Sequence, residues 1–166
     1  MLKGRIIVGT LCCIWVLLAF RTEVSRKELY TTLAGESVET VDRLISQLEN
    51  SADNQLNKAY IGALGMRKAG LIKGPAAKLK QFKEGAEALE KIIDENPANA
   101  EYRFLRLIIQ ENAPKILKYN KEIEEDTQLI ISKFDSLDKS LQSEIQNYGK
   151  TSEVLKINEI LKTNNR

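Results

Sequence analysis

The sequence predicts an all-α fold, and three observations predict it. Only 9 Gly and 3 Pro punctuate the 166 residues, which leaves long runs of good helix formers. Apolar residues recur at helical spacing along most of the chain, and β-type alternation is scarce. Ser, Asn, Gly and Pro stand at the ends of these runs, where helices start and stop. With 43% hydrophobic and 29% charged residues, the composition is that of a globular protein rather than a disordered one. The length suffices for one domain with its own core.

The chain opens with Lys3 and Arg5, followed by an apolar run at residues 6–20, IIVGTLCCIWVLLAF. A charged start and a run of this length suit an export signal better than a full span, which needs roughly 20 apolar residues. A cleavage site wants small residues one and three positions before the cut. Near Ala19 the bulky Leu17 and Phe20 deny that pair, and an uncleaved segment is a single N-terminal anchor. Residues 1–22 are thus expected to be a signal peptide or an N-terminal membrane anchor. Either one places the helical domain outside the cytoplasm, periplasmic or anchored at the inner membrane. Cys12 and Cys13 both lie in this segment, so the remaining chain holds no disulfide and no thiolate metal site.

Residues 23–162 are expected to form the helical domain, with residues 163–166 a polar tail. Ser25 and Glu28 have the form of a capping box for a short helix to about Ala34, stopped at Gly35. Ser37 caps a helix with a Val38, Val41, Leu44, Ile45, Leu48 stripe. Residues 50–53 break it. The next helix puts Leu56, Ala59, Tyr60, Ala63 and Leu64 on one face and ends at Gly70. Pro75 suits the first turn of a helix carrying Leu79, Phe82, Ala86, Leu89, Ile92 and Ile93. Asn96-Pro97 stops that helix, because a residue before proline is pushed out of the α region. Asn99 caps a helix with so wide an apolar surface, from Tyr102 to Ile109, that it must lie between neighbours. One stripe then runs from Pro114 through Ile116, Tyr119, Ile123 and Ile130 to Phe134. Ser136 opens a helix with Leu137, Leu141, Ile145 and Tyr148, closed by Gly149. Thr151 caps a last helix with Val154, Ile157, Ile160 and Leu161.

Around the Asn96-Pro97 corner, ENPANAEYRFLRL resembles the junction between two tetratricopeptide (TPR) repeats. Gly85, Leu89, Ile92 and Pro97 fall at the spacing of that family's second helix, and Asn99, Ala100 and Glu101 resemble the opening of the next repeat. The match covers about one repeat of the roughly 34-residue period. Gly74-Pro75 breaks the preceding helix, and Leu107 stands where a small residue is expected. The resemblance implies an irregular antiparallel array of helical hairpins, TPR-like, in which each hairpin buries its apolar face on the next. The whole chain also resembles exported bacterial helical proteins, which implies a location and no chemistry.

Composition narrows the chemistry. The chain has no histidine, which removes the commonest general base and zinc ligand. It contains no nucleotide-binding glycine fingerprint, P-loop or nucleophile elbow. Gly62, Gly65 and Gly70 read as sites of close packing or helix ending rather than as a phosphate cradle. No cofactor, metal or catalytic residue is therefore assigned. Glu122, Glu124, Glu125 and Asp126 cluster, and Glu122 with Asp126 has i, i+4 spacing. An unrecognised enzyme would have to work with such carboxylates alone. A calcium loop needs a glycine turn that is missing here, so a solvated, salt-bridged face is expected.

Two constellations point to binding. Arg103, Arg106 and Gln110 share one side of their helix, with Tyr102 beside them. Such a row can line a groove and grip a carboxylate of a protein or peptide through the arginine fork. Its structural counterpart is pairing with Glu101 or with acids on adjacent helices. Lys58, Arg67, Lys68, Lys73, Lys78, Lys80 and Lys83 form a basic stretch without an acid, followed by an acidic one from Glu84. This basic surface suits anionic lipid headgroups. It lacks the interleaved aromatics of a nucleic-acid surface, so nucleic acid is not the expected partner. The expected function is protein–protein binding or scaffolding by a non-enzymatic, exported or membrane-anchored protein. The alternative is a membrane-surface structural protein that uses the basic stretch.

Overall fold

A computed structural model of the protein describes residues 24–156. The N-terminal run read as a signal or anchor, the polar tail, and Ile157, Ile160 and Leu161 of the expected last helix lie outside the described residues. Those described are helical with no strand. In order they are α1 (Arg26–Ala34), α2 (Val38–Glu49), α3 (Gln55–Leu71), α4 (Pro75–Glu95), α5 (Ala100–Asn112), α6 (Ile123–Lys133) and α7 (Lys139–Tyr148). Short 3₁₀ turns precede and follow α6, at Lys115–Leu117 and Phe134–Ser136. Among the described residues no helix is long and apolar enough to cross a membrane.

Local chemistry sets most of the boundaries. Ser25, Ser37, Asn54, Asn99 and Asp138 each accept a backbone N–H of the first turn that follows, which satisfies donors the helix itself cannot. The capping box at Ser25 is half made. Ser25 accepts from the Glu28 N–H, but the Glu28 carboxylate turns away to Arg43 at 2.9 Å. Gly74 adopts φ +89° before Pro75, a conformation that L side chains resist. That residue turns the chain between α3 and α4.

Four helix assignments differ from the sequence expectation. α3 continues through Gly70 to Leu71. The stripe from Ile116 to Phe134 is not one helix. A 3₁₀ turn ends at Lys118, which takes the left-handed φ of 52°, and α6 starts only at Ile123. α7 is capped by Asp138 rather than by Ser136, which ends the preceding 3₁₀ turn. At the far end, Thr151 to Lys156 are not helical. Ser152, not Thr151, accepts from the N–H groups of Val154 and Leu155.

α3 and α5 form the centre. Residues 100–110 of α5 are all buried, as its wide apolar surface predicts. α3 buries Gly62, Gly65, Met66 and Ala69 in addition to its expected face, because α1, α2, α4 and α5 all pack on it. α3 and α4 run antiparallel, with Gln55 bonded to Glu95 at one end and Lys78 to the Gly70 carbonyl at the other. Their crossing is backbone on backbone. A Cβ on Gly62 would sit 2.9 Å from the Gly85 carbonyl oxygen and 2.9 Å from the Leu89 nitrogen. A Cβ on Gly85 would meet the Gly62 carbonyl oxygen at 2.7 Å and the Met66 nitrogen at 2.8 Å. α5 and α6 make a second antiparallel pair, and α1 meets α7.

The crossing makes a graded prediction. Gly62→Ala and Gly85→Ala each lose about 1–3 kcal/mol of stability in urea titration, since backbone must move to admit a methyl group. Gly70→Ala, exposed and with no atom within 4 Å of the new Cβ, gains about 0.5–1 kcal/mol from helix propensity. Equal midpoints for all three variants would contradict the tight crossing.

Candidate functional site

The arginine row lies inside the protein. Arg103 is 8% exposed and Arg106 4%, and both converge on Asp126, which is 0% exposed. Arg103 Nη1 donates to Asp126 Oδ1 at 2.9 Å. Arg106 donates to both oxygens, Nε to Oδ2 and Nη2 to Oδ1, each at 2.8 Å. The remaining donors reach outward. Arg106 Nη1 meets Glu90 at 2.6 Å, Arg103 Nη2 meets Glu125 at 3.0 Å, and Arg103 Nε bonds the Pro97 carbonyl at 2.9 Å. Burial works against the Arg106 charge, and Asp126 and Glu90 outweigh it, so its pKa lies above the ordinary arginine value. Gln110 donates to Glu122 at 2.7 Å, and Tyr102 is buried. The row therefore locks α5 to α6 and does not line an open groove.

The same contacts divide the acidic cluster. Asp126 is consumed by the two arginines and Glu122 by Gln110, while Glu124 and Glu125 are exposed. Among the described residues no group of three or more His, Cys, Asp or Glu is placed to hold a metal ion. A second buried carboxylate, Glu101, does not pair with Arg103 or Arg106 as the sequence allowed. Glu101 accepts from Arg26 Nε at 2.8 Å, from Arg26 Nη2 at 2.9 Å and from the Tyr60 hydroxyl. Its partners lie too far away in sequence for any spacing to reveal them.

The basic stretch is spread over both arms of the α3–α4 hairpin. Lys58 pairs with Asp53 at 2.8 Å, Lys68 with Asp42 at 2.6 Å and Lys80 with Glu84 at 3.8 Å. Lys73 and Lys83 are exposed. Arg67 and Lys78 bond carbonyl oxygens instead, Arg67 that of Gly35 at 2.6 and 3.0 Å and Lys78 that of Gly70 at 3.1 Å. Both acceptors lie at helix C-terminal ends, where a cation is favoured.

Arg67 and Lys78 belong to a feature that the sequence did not reveal, an apolar groove of about 1020 Å³. It is lined by residues of α1 and α7, the first turns of α4 and the Lys115–Leu117 turn. Met66, Ile108 and Ile109 lie at its base, near the ends of α3 and α5. Leu79 and Ile116, both assigned to apolar stripes by their spacing, line the groove and are 43% and 88% exposed. Spacing identifies the face of a helix but not whether another element covers it. The hydroxyl of Tyr30, which also lines the groove, is buried without a hydrogen-bond partner.

Two predictions follow from the buried polar groups. Asp126→Ala leaves two guanidinium groups buried without their carboxylate, and is expected to cost about 3–5 kcal/mol in chemical denaturation. A loss below about 1 kcal/mol, the range of an exposed pair, would show that the cluster is solvated.

The second concerns alkaline pH. All five tyrosines have raised pKa values. Burial is the main cause, and the carboxylates of Glu101, Glu90 and Glu111 add to it at Tyr60, Tyr119 and Tyr148. The folded state thus keeps phenolic protons that the unfolded chain releases near pH 10. This contribution to stability is intact below about pH 10 and shrinks as the pH climbs above it. Tyrosinate absorbance is expected to rise together with the loss of helical circular dichroism. Tyrosinate appearing at about pH 10 with the helical signal intact would contradict the burial.

Comparison with family models, with curated proteins and with solved structures finds no match to this chain, so the use of the groove is argued from its own chemistry.

Proposed function

We propose that the protein is a non-enzymatic binding module whose working surface is the groove between α1, α7 and the first turns of α4. One observation carries this reading. Two large apolar side chains, Leu79 and Ile116, stand exposed in the lining of an apolar cavity. A folded chain gains by covering such a patch, and contiguous exposed apolar surface marks interaction sites. The partner is proposed to be a protein segment, in keeping with a scaffolding role.

The scaffold is proposed to be a TPR-like array of irregular hairpins. Support comes from the consecutive antiparallel pairs α3–α4 and α5–α6, from Gly85 at the close approach, and from the Asn96-Pro97 corner with its Asn99 cap. Export or N-terminal anchoring is proposed from the charged start and apolar run of residues 3–20 alone.

Leu79→Asp with Ile116→Asp tests the groove, because both positions are exposed and tolerate a carboxylate. In a native pulldown with quantitative mass spectrometry, the double variant should recover a specific partner at a level lower by roughly tenfold or more, the effect of losing interface anchors. Its thermal midpoint should be unchanged. Full recovery by the variant would overturn the proposal.

A further inference from the structure

We infer that the occupant of the groove is an acidic amphipathic helix of a protein partner, an inference that rests on the binding reading above. The shape argues for a rod. Met66 and Ile109 line the cavity while almost fully buried, out of reach of a flat bilayer surface, whereas a helix is a convex cylinder about 10–12 Å across. A helix set into an apolar groove is a recurring mode of peptide recognition, with anchors at i, i+3, i+4 and i+7.

The charge argues for acids. Three cations line the groove, Lys27, Arg67 and Lys78, against the single carboxylate of Glu144. Among the described residues none of the three has a carboxylate within 4 Å. Several exposed lysines elsewhere, such as Lys73 and Lys83, share that condition, so what distinguishes the groove is its excess of cations over carboxylates around an apolar lining. The bonds of Arg67 and Lys78 go to backbone carbonyls, which hold these side chains in place and leave them without a carboxylate partner. Lys27 on α1 and Lys78 on α4 line the groove from different helices. A helix lying between them with apolar residues inward and carboxylates along both flanks would satisfy the apolar base and the cationic residues together. Complementarity of this kind sets partner choice and association rate more than raw affinity.

The test uses two designed helical peptides of about 14 residues, roughly four turns. Both carry Leu at i, i+3, i+4 and i+7, and the flanking positions are Glu in one and Lys in the other. Fluorescence anisotropy with the full-length chain should show binding of the Glu peptide, fading as salt rises, and none of the Lys peptide. Lys27→Glu with Lys78→Glu, both exposed positions, should weaken the Glu peptide roughly tenfold and leave the circular dichroism unchanged. Equal binding of both peptides, both lost in the Leu79→Asp, Ile116→Asp variant, would overturn the acidic helix and retain the groove. Binding of neither peptide would overturn the groove as well. Phosphatidylglycerol vesicles bound through Lys27 and Lys78, in the absence of peptide binding, would assign the cations to lipid and overturn the inference. Dimerisation abolished by Leu79→Asp would do so in favour of a second copy.

Discussion

The close crossing of α3 on α4 is the constraint on which the rest of the structure depends. Where Gly62 meets Gly85, carbonyl oxygens and amide nitrogens of one helix lie where a side chain of the other would begin. The two axes can approach this closely only because neither residue carries a Cβ. Bringing backbones together lets α3 present its other sides to α1, α2 and α5, so one helix of small residues serves as the hub. The same geometry fixes the direction of α4. With 21 residues against 13 in α5, α4 is about 12 Å longer. Residues 75–80 at its start are exposed, and this end lines the groove.

A second constraint follows from burying α5 on all sides. A helix with no exposed face must bury its polar residues too, and a buried charge is tolerated only with a hydrogen-bonded counter-charge. Arg103 and Arg106 therefore need Asp126, and Glu101 needs Arg26 and Tyr60. Replacing one partner costs far more than the assembled pair contributes. Each carboxylate thereby selects its neighbour. Asp126 places α6 on one side of α5, and Glu101 connects it to α1 and α3. Apolar burial, which has no direction, does not distinguish these neighbours from a sliding alternative.

What the sequence reveals follows the range of the interaction. Caps at Ser37 and Asn99, the stop at Asn96-Pro97 and the glycine turn before Pro75 depend on residues a few positions apart, so they are legible. Ser136 misled because a serine before an apolar run has the same local form as the true cap, Asp138. The break at Lys118 is illegible for a related reason. Its left-handed backbone interrupts a stripe whose spacing continues across the gap, and periodicity has no term for a non-glycine residue in that region. Glu101 with Arg26, 75 positions apart, and the exposure of Leu79 and Ile116 are set by the tertiary arrangement. Spacing put the arginines on one face of α5 and left open whether that face met solvent or α6.

The internal position of the arginines changes how a loss of binding is to be interpreted. α5 carries both systems, with Arg103 and Arg106 bonded to α6 and Ile108, Ile109 and Asn112 near its end lining the groove. Charge reversal at Arg103 and Arg106 would place acids against Asp126 and Glu90, with no solvent to screen Asp126. α6 would separate from α5, and the base of the groove would go with it. Lost capture in such a variant would report unfolding rather than a missing contact. Leu79 and Ile116 lack this ambiguity, because their exposed side chains contribute little to the core. A difference in binding at those positions, with stability unchanged, reports on the surface alone.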